Sequence, residues 1–276
     1  MNKGAEVLVA GVDLAWGERM ADGLCFARYD VARRRARLDG YAYPQGDDAL
    51  AAEAGRRLGR GQGAFFAVDA PIVCPNLTGT RPVDRLTHVL FRRQHAACHP
   101  ANLGKCPRPP RVAARLVDEL SFAVGWEVGG LAAGARVAAE VYPHPAMVRL
   151  FGLERIIKYK KGPVAARRAE FARLQGLLRE LLAREFAYLA VDADTPALLA
   201  ERWSKPVEDR TDALFCALIA LHHVHHAGAR SEVIGDVATG FILLPAEPGA
   251  RTRRGARGEA KDGGVDRSDR ARTLGA

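Results

Sequence analysis

Cysteine is scarce and unpatterned in this chain. Its 5 cysteines, Cys25, Cys74, Cys98, Cys106 and Cys216, form an odd set without Cys-x-x-Cys spacing, which argues against a disulfide framework. Cys25 and Cys216 lie in apolar stretches, where free thiols pack as small hydrophobes. Long apolar runs are missing as well. No stretch approaches the ~18 residues that a membrane span requires, and no basic start leads into an apolar segment with a cleavage site. A cytoplasmic protein with no membrane partner is therefore expected. No internal repeat is evident.

Acid is in deficit: 32 Asp and Glu stand against 41 Lys and Arg, a net charge of +9. That balance favours a polyanionic partner over an acidic small substrate, and it bears on association rather than on fold. Residues 247–276 carry eight Lys or Arg and five Asp or Glu and read as a flexible basic tail. Apolar material is ample. With 48% hydrophobic residues over 276 positions, the chain can bury a large core, and one main domain over residues 1–246 is expected.

Glu6 to Val12 reads as a buried strand, with Gly23 to Tyr29 and Ala36 to Tyr43 as two more in a meander. Asp47 to Arg60 has helical spacing through Leu50, Ala51, Ala54 and Leu58. A fourth strand, Gly63 to Val68, is closed by Asp69-Ala70-Pro71, because proline cannot continue the ladder. Residues 72–110 are rich in Pro, Arg, His and Cys without a sustained period. They predict an inserted loop and helical segment over about 72–130, with helices near Val83 to His95 and Val112 to Val124. Ala135 to Tyr142 is the fifth strand, and helices are predicted over Pro145 to Phe151, Pro163 to Phe186 and Glu208 to His226. Phe241 to Leu244 reads as a terminal strand. This succession is that of an α/β layer fold with a mixed sheet.

Acids far apart in the chain close or interrupt its apolar runs. Asp13 closes Val7-Leu8-Val9-Ala10-Gly11-Val12, Asp69 closes Ala64-Phe65-Phe66-Ala67-Val68, Glu140 follows Val137-Ala138-Ala139, and Asp212 ends Asp209-Arg210-Thr211-Asp212. A carboxylate at the end of a core strand is costly unless something positive meets it. Convergent carboxylates therefore point to divalent cations, with the oxygen ligands that Mg²⁺ and Mn²⁺ prefer. Taken singly, Asp13 reads equally well as a turn residue, Asp69 as a pre-proline turn, and Asp209 as a helix N-cap.

The segments Gly11-Val12-Asp13, Val68-Asp69-Ala70-Pro71, Glu140-Val141-Tyr142-Pro143-His144-Pro145, Lys158-Tyr159-Lys160-Lys161-Gly162 and Asp209-Arg210-Thr211-Asp212-Ala213-Leu214 resemble, in this order, those of the domain-of-unknown-function 429 family. That family looks like predicted nucleases of the ribonuclease H-like superfamily, which also holds junction resolvases, transposases and actin-like ATPases. The resemblance covers roughly residues 5–245. It implies a ribonuclease H-like mixed five-stranded sheet flanked by helices. It also implies a metal-binding Asp13 on the first strand, a second carboxylate at Asp69, and two acids three residues apart on the last helix, Asp209 and Asp212. Glu140 matches a Glu-x-x-Pro motif of the family. The sequence departs from the pattern at Leu14-Ala15-Trp16-Gly17, where many members are richer in glycine, and in its crowd of Arg and His over residues 72–110.

The chemistry expected is hydrolysis of phosphodiesters in nucleic acid. It needs an activated water and a stabilised leaving oxygen, which two metals about 3.5–4 Å apart supply when carboxylates hold them. Asp13, Asp69, Glu140 and Asp212 are the expected catalytic acids, joined by Asp209 as metal ligands for Mg²⁺ or Mn²⁺. Lys158, Lys160, Lys161, Arg81 and His144 are the expected contacts to substrate, because phosphates dominate nucleic-acid affinity. A solvated charge run before a helix is the plain alternative for the lysines. Trp16 can stack a base or belong to the core. His88, His95, Cys98, His99 and Cys106 fit no standard zinc spacing, and His222, His223, His225 and His226 suit the negative end of a helix better than a metal. Two other function classes remain open: an actin-like ATPase or phosphotransferase, for which the glycine-rich phosphate turns are lacking after the first and fourth strands, and a nucleic-acid-binding module without catalysis.

Overall fold

The structure, a computed structural model, describes residues 5–247. The expected basic tail therefore lies outside the described residues except for Glu247. The chain opens with β1 (Glu6–Asp13), β2 (Gly23–Asp30) and β3 (Arg35–Ala42), an antiparallel meander, followed by α1 (Asp47–Arg57) and β4 (Ala64–Val68), which runs parallel to β1. Next come α2 (Pro82–Phe91), α3 (Arg108–Leu120), β5 (Ala123–Val124), β6 (Arg136–Glu140) and α4 (Pro143–Phe151). The second half holds α5 (Val164–Glu185), β7 (Leu189–Ala190), α6 (Asp194–Leu198), α7 (Lys205–His225), β8 (Ser231–Asp236) and β9 (Gly240–Pro245).

The main sheet has seven strands in the order β5-β6-β4-β1-β2-β3-β7, not the five expected. The five expected strands form its centre, and β5 and β7 add only 2 residues each at its two edges. Runs that short carry no alternation to read. The terminal strand pairs with β8 in a separate two-stranded ladder, which reaches the main sheet's end through a bridge between Val141 and Leu243. Two prolines open α3, where the first N–H groups have no intrahelical partner, so the helix starts at Arg108 rather than at Val112. The segment before it shares the main core through Val83, Phe91, Ala96 and Cys98. No helix among the described residues is long and apolar enough to cross a membrane.

Period-2 alternation divides the core into two layers. Leu8, Ala10 and Val12 of β1 and Ala64, Phe66 and Val68 of β4 face one layer with α1 and α3. Val7 and Val9 of β1, with Phe65 and Ala67 of β4, face the other, which α7 fills. Every α7 residue from Val207 to Val224 except Arg210 is buried, as expected of a helix enclosed on all sides. Two glycines allow α7 to lie directly on the sheet. A Cβ at Gly11 would stand 2.1 Å from the Ala213 carbonyl oxygen, and one at Gly23 would stand 2.3 Å from that of Asp209. Backbone touches backbone at both points.

Candidate functional site

The alternation that sorts the core also places two acids. Val12 pairs with Val68, and the Asp69 N–H donates to the Val12 carbonyl at 2.8 Å. Asp13 and Asp69 thus leave the carboxyl ends of β1 and β4 side by side, with the parity of the layer occupied by α7. The close approach at Gly11 and Gly23 brings the second and third turns of α7 to the same edge, and with them Asp212. Asp212 is fully buried. Its Oδ1 accepts a 2.6 Å hydrogen bond from the buried Tyr159 hydroxyl, and its Oδ2 lies 2.8 Å from Lys160 Nζ. That second contact is ionic and off the line of a hydrogen bond, which leaves Oδ2 without a hydrogen-bond donor.

Asp13 and Asp69 have their proton affinities shifted by burial, by Lys160 and by the neighbouring acids. Burial pushes the Asp13 carboxyl well above the usual range; Lys160 pulls it down, and Asp212, Asp69 and Asp209 push it up. Asp69 is pushed up to about 7, by burial first and then by Asp212, against the pull of Lys160. Burial disfavours the charge on Lys160, yet Asp212, Tyr159, Asp13 and Asp69 outweigh it and hold the ammonium well above the ordinary lysine value.

Other expected site residues meet different partners. Glu140 shares the parity of Ala138, which belongs to the opposite layer. Its two oxygens accept hydrogen bonds from both terminal nitrogens of Arg81 at 2.7 and 2.8 Å, while Arg81 also binds Asp84 and the Val73 carbonyl. Burial raises Glu140 to about 7 against the opposing pull of Arg81. Arg81 is 2% exposed, so this expected phosphate contact is instead the counter-ion of Glu140, with no donor left for substrate. Asp209 sits inside α7, whose N-cap position is Ser204, so the N-cap alternative falls. Its oxygens are taken by the Tyr43 hydroxyl and the Lys205 ammonium. Lys160, expected on phosphates, is bound within the acids, whereas Lys158 and Lys161 on either side are exposed.

His144 lies beside the cluster, edge-on to Tyr142 and Tyr159. Burial first, and Lys160 next, lower its pKa to about 4, which leaves a neutral imidazole with an unpartnered Nδ1. A recess of about 60 Å³ lined by Trp16, Asp69, Pro71, His99, Glu140 and Tyr142 opens next to the acids. Arg108, 1% exposed, braces the turn after Asp13 by binding Asp22 twice at 2.7 Å and the Ala15 carbonyl at 2.6 Å. Tyr43 and Lys205 escaped the reading of the sequence, and Tyr159 and Arg108 entered it only as members of a basic run and of a basic inserted segment. Of these, only the Lys205 and Asp209 pair, four apart on one helix, carries a local signal.

Among the described residues, no three His, Cys, Asp or Glu side chains are gathered closely enough to form a ready-made metal cage. This covers the cysteine and histidine residues of 74–106: His88 instead contacts the Cys98 carbonyl at 3.0 Å. A family model described as "Protein of unknown function (DUF429)" matches residues 11–239. The chain belongs to this family. The DUF429 match takes in the whole acidic cluster, its lysine, and both α2 and α3, and it ends just before β9. No curated protein and no solved structure matches the chain.

Proposed function

We propose that this DUF429 protein is a divalent-metal-dependent hydrolase of phosphodiester bonds in nucleic acid, on a ribonuclease H-like scaffold. One observation carries the reading: Asp13 and Asp69 emerge side by side at the carboxyl edge of two adjacent parallel strands, and α7 brings Asp212, with Lys160 Nζ 2.8 Å from its Oδ2, to that same edge. The chain order of meander, helix, strand, helices, strand and final helix supports the scaffold. The net charge of +9 and the exposed Lys158 and Lys161 beside the cluster support a polyanionic substrate.

The residues fit Mg²⁺ or Mn²⁺ by donor type and charge. Carboxylate oxygens are the ligands these ions favour, Asp212 Oδ2 lacks a hydrogen-bond donor, and Lys160 marks a position where positive charge is stable. Asp13, Asp69 and Asp212 would hold the ion. Asp209 and Glu140 are saturated by other partners and serve as supports. An ion bound there would acidify a water and neutralise charge on the leaving oxygen. The chain's own groups do the rest: Tyr159 fixes the orientation of Asp212, Arg108 holds the turn that carries Trp16, and neutral His144 offers Nδ1 as an acceptor.

The test is incubation with Mn²⁺ and a panel of single-stranded, duplex, hybrid and branched DNA and RNA. The wild type is expected to cut at least one class, and Asp13→Asn is expected to lose at least about a hundredfold in rate with an unchanged circular dichroism spectrum. Undiminished cutting by Asp13→Asn removes Asp13 from the mechanism, and no cutting under any condition overturns the reading. A second reading, a nucleic-acid-binding module without catalysis, is favoured by the ammonium already seated among the acids. It predicts substrate binding without uptake of Mn²⁺.

A further inference from the structure

Lys160 differs from Arg81 and Arg108, the buried cation partners of Glu140 and Asp22. The Arg81 and Arg108 side chains are 2% and 1% exposed and bind their carboxylates through paired nitrogens, whereas the Lys160 side chain is 32% exposed and holds Asp212 through one contact. It projects from the irregular segment between α4 and α5, bounded by Gly152 and Gly162, both at positive φ. Its tip also lies over the Tyr159 ring, 5.7 Å from the centroid. The atom it faces, Asp212 Oδ2, belongs to a fully buried side chain whose other oxygen is fixed by Tyr159.

We infer that Lys160 is a tethered counter-ion that occupies the cation position among Asp13, Asp69 and Asp212, and that a divalent cation enters only as the ammonium is displaced towards solvent. The inference rests on reading these acids as the cation site. Its physical basis is like-charge exclusion: an ammonium in contact with Asp212 and a divalent ion on the same oxygen would stand within a few ångströms of each other, in surroundings that screen poorly. A four-carbon stem on an irregular segment can withdraw from that position, which a guanidinium locked at both ends cannot do. Once withdrawn, the ammonium is at the mouth of the site, alongside the exposed Lys158 and Lys161. Substrate phosphate would stabilise it there, so substrate and metal would each promote the other's binding.

The experiment measures Mn²⁺ binding to the full chain by the loss of the free-ion electron paramagnetic resonance signal, with no substrate present. Wild type is compared with Lys160→Met, Lys160→Arg, Lys161→Met and the double variant Lys160→Met with Asp13→Asn. Lys160→Met is expected to bind Mn²⁺ about tenfold tighter or more, the direction that follows from removing a like charge beside the ion. Lys160→Arg, which keeps the charge, and Lys161→Met are expected to match or fall below the wild type, and the double variant to lose the gain. Equal, measurable affinity in wild type and Lys160→Met overturns the inference while leaving the cation site standing. Absence of Mn²⁺ binding in both overturns the cation site and the inference together. Circular dichroism spectra of each variant in chelator establish that it is folded, and Lys160→Arg tests the charge should Lys160→Met fail to fold.

Discussion

Two groups of acids at neighbouring places in the fold are neutralised in opposite ways. Around Glu140, one guanidinium binds both carboxylate oxygens, adds Asp84 and a backbone carbonyl, and is sealed from water. Around Asp212, one lysine whose side chain is partly exposed makes a single contact, and the buried oxygen it meets has no hydrogen-bond donor. The first arrangement is complete, so it holds structure and has nothing to offer a ligand. The second holds its counter-ion through a single contact, which leaves room for a ligand to compete. The contrast also separates Glu140 and Asp209, each neutralised by a cation of its own, from Asp13, an acid of the same sequence character.

The comparison is open to attack in order of expected effect. Arg81→Ala should destabilise the protein by about 3–5 kcal/mol, because it strands buried Glu140 and Asp84 without a counter-charge; urea denaturation measures this, and a loss within error would equate the two clusters. Next, Gly11→Ala should destabilise by about 1–3 kcal/mol or more through overpacking, since α7 must retreat from β1 to admit the methyl. Weakened Mn²⁺ binding alongside that loss would confirm that the same close contact positions Asp212. Lys160→Met should destabilise by a smaller amount, about 1–2 kcal/mol at neutral pH, because its acids can relieve the lost charge by retaining protons.

The smallest effect is in the pH dependence. The folded value of Asp69, about 7, lies above its ordinary 3.8, so the native state keeps a proton that the unfolded chain has released. That contribution to stability is fully present below about pH 4 and is lost as pH rises through about 7. Thermal unfolding in chelator from pH 5 to 8 should therefore show wild type losing stability on the alkaline side, with a shallower fall in Asp69→Asn. An unchanged slope in the variant would place the proton elsewhere in the cluster.

Much of this was legible in residue order. The runs ending at Asp13 and Asp69 are unbroken apolar strands, which reveal where each acid emerges but, having no alternation, not the face on which it does. The opposite face taken by Glu140 follows from the register that pairs it with Val68, which the sequence does not display. Helix α7 was legible as an apolar stretch, but its start three residues before Glu208 depended on reading Pro206 as a first-turn residue. The edge strands β5 and β7 were not legible, because 2 residues held by a neighbour's ladder need no pattern of their own.

By itself the sequence determined the layers, the order of the elements and the ends of strands from which acids project, since these follow from local periodicity and from the breaking of runs by Asp, Pro and Gly. Only the tertiary structure decided which cation each acid meets. Arg81 reaches Glu140 across 59 residues and Tyr159 reaches Asp212 across 53, and nothing within one turn or strand encodes such a choice. A lysine in a basic run and an arginine in a polar segment look alike as sequence. Packing sealed one between carboxylates and left the other partly exposed beside Asp212.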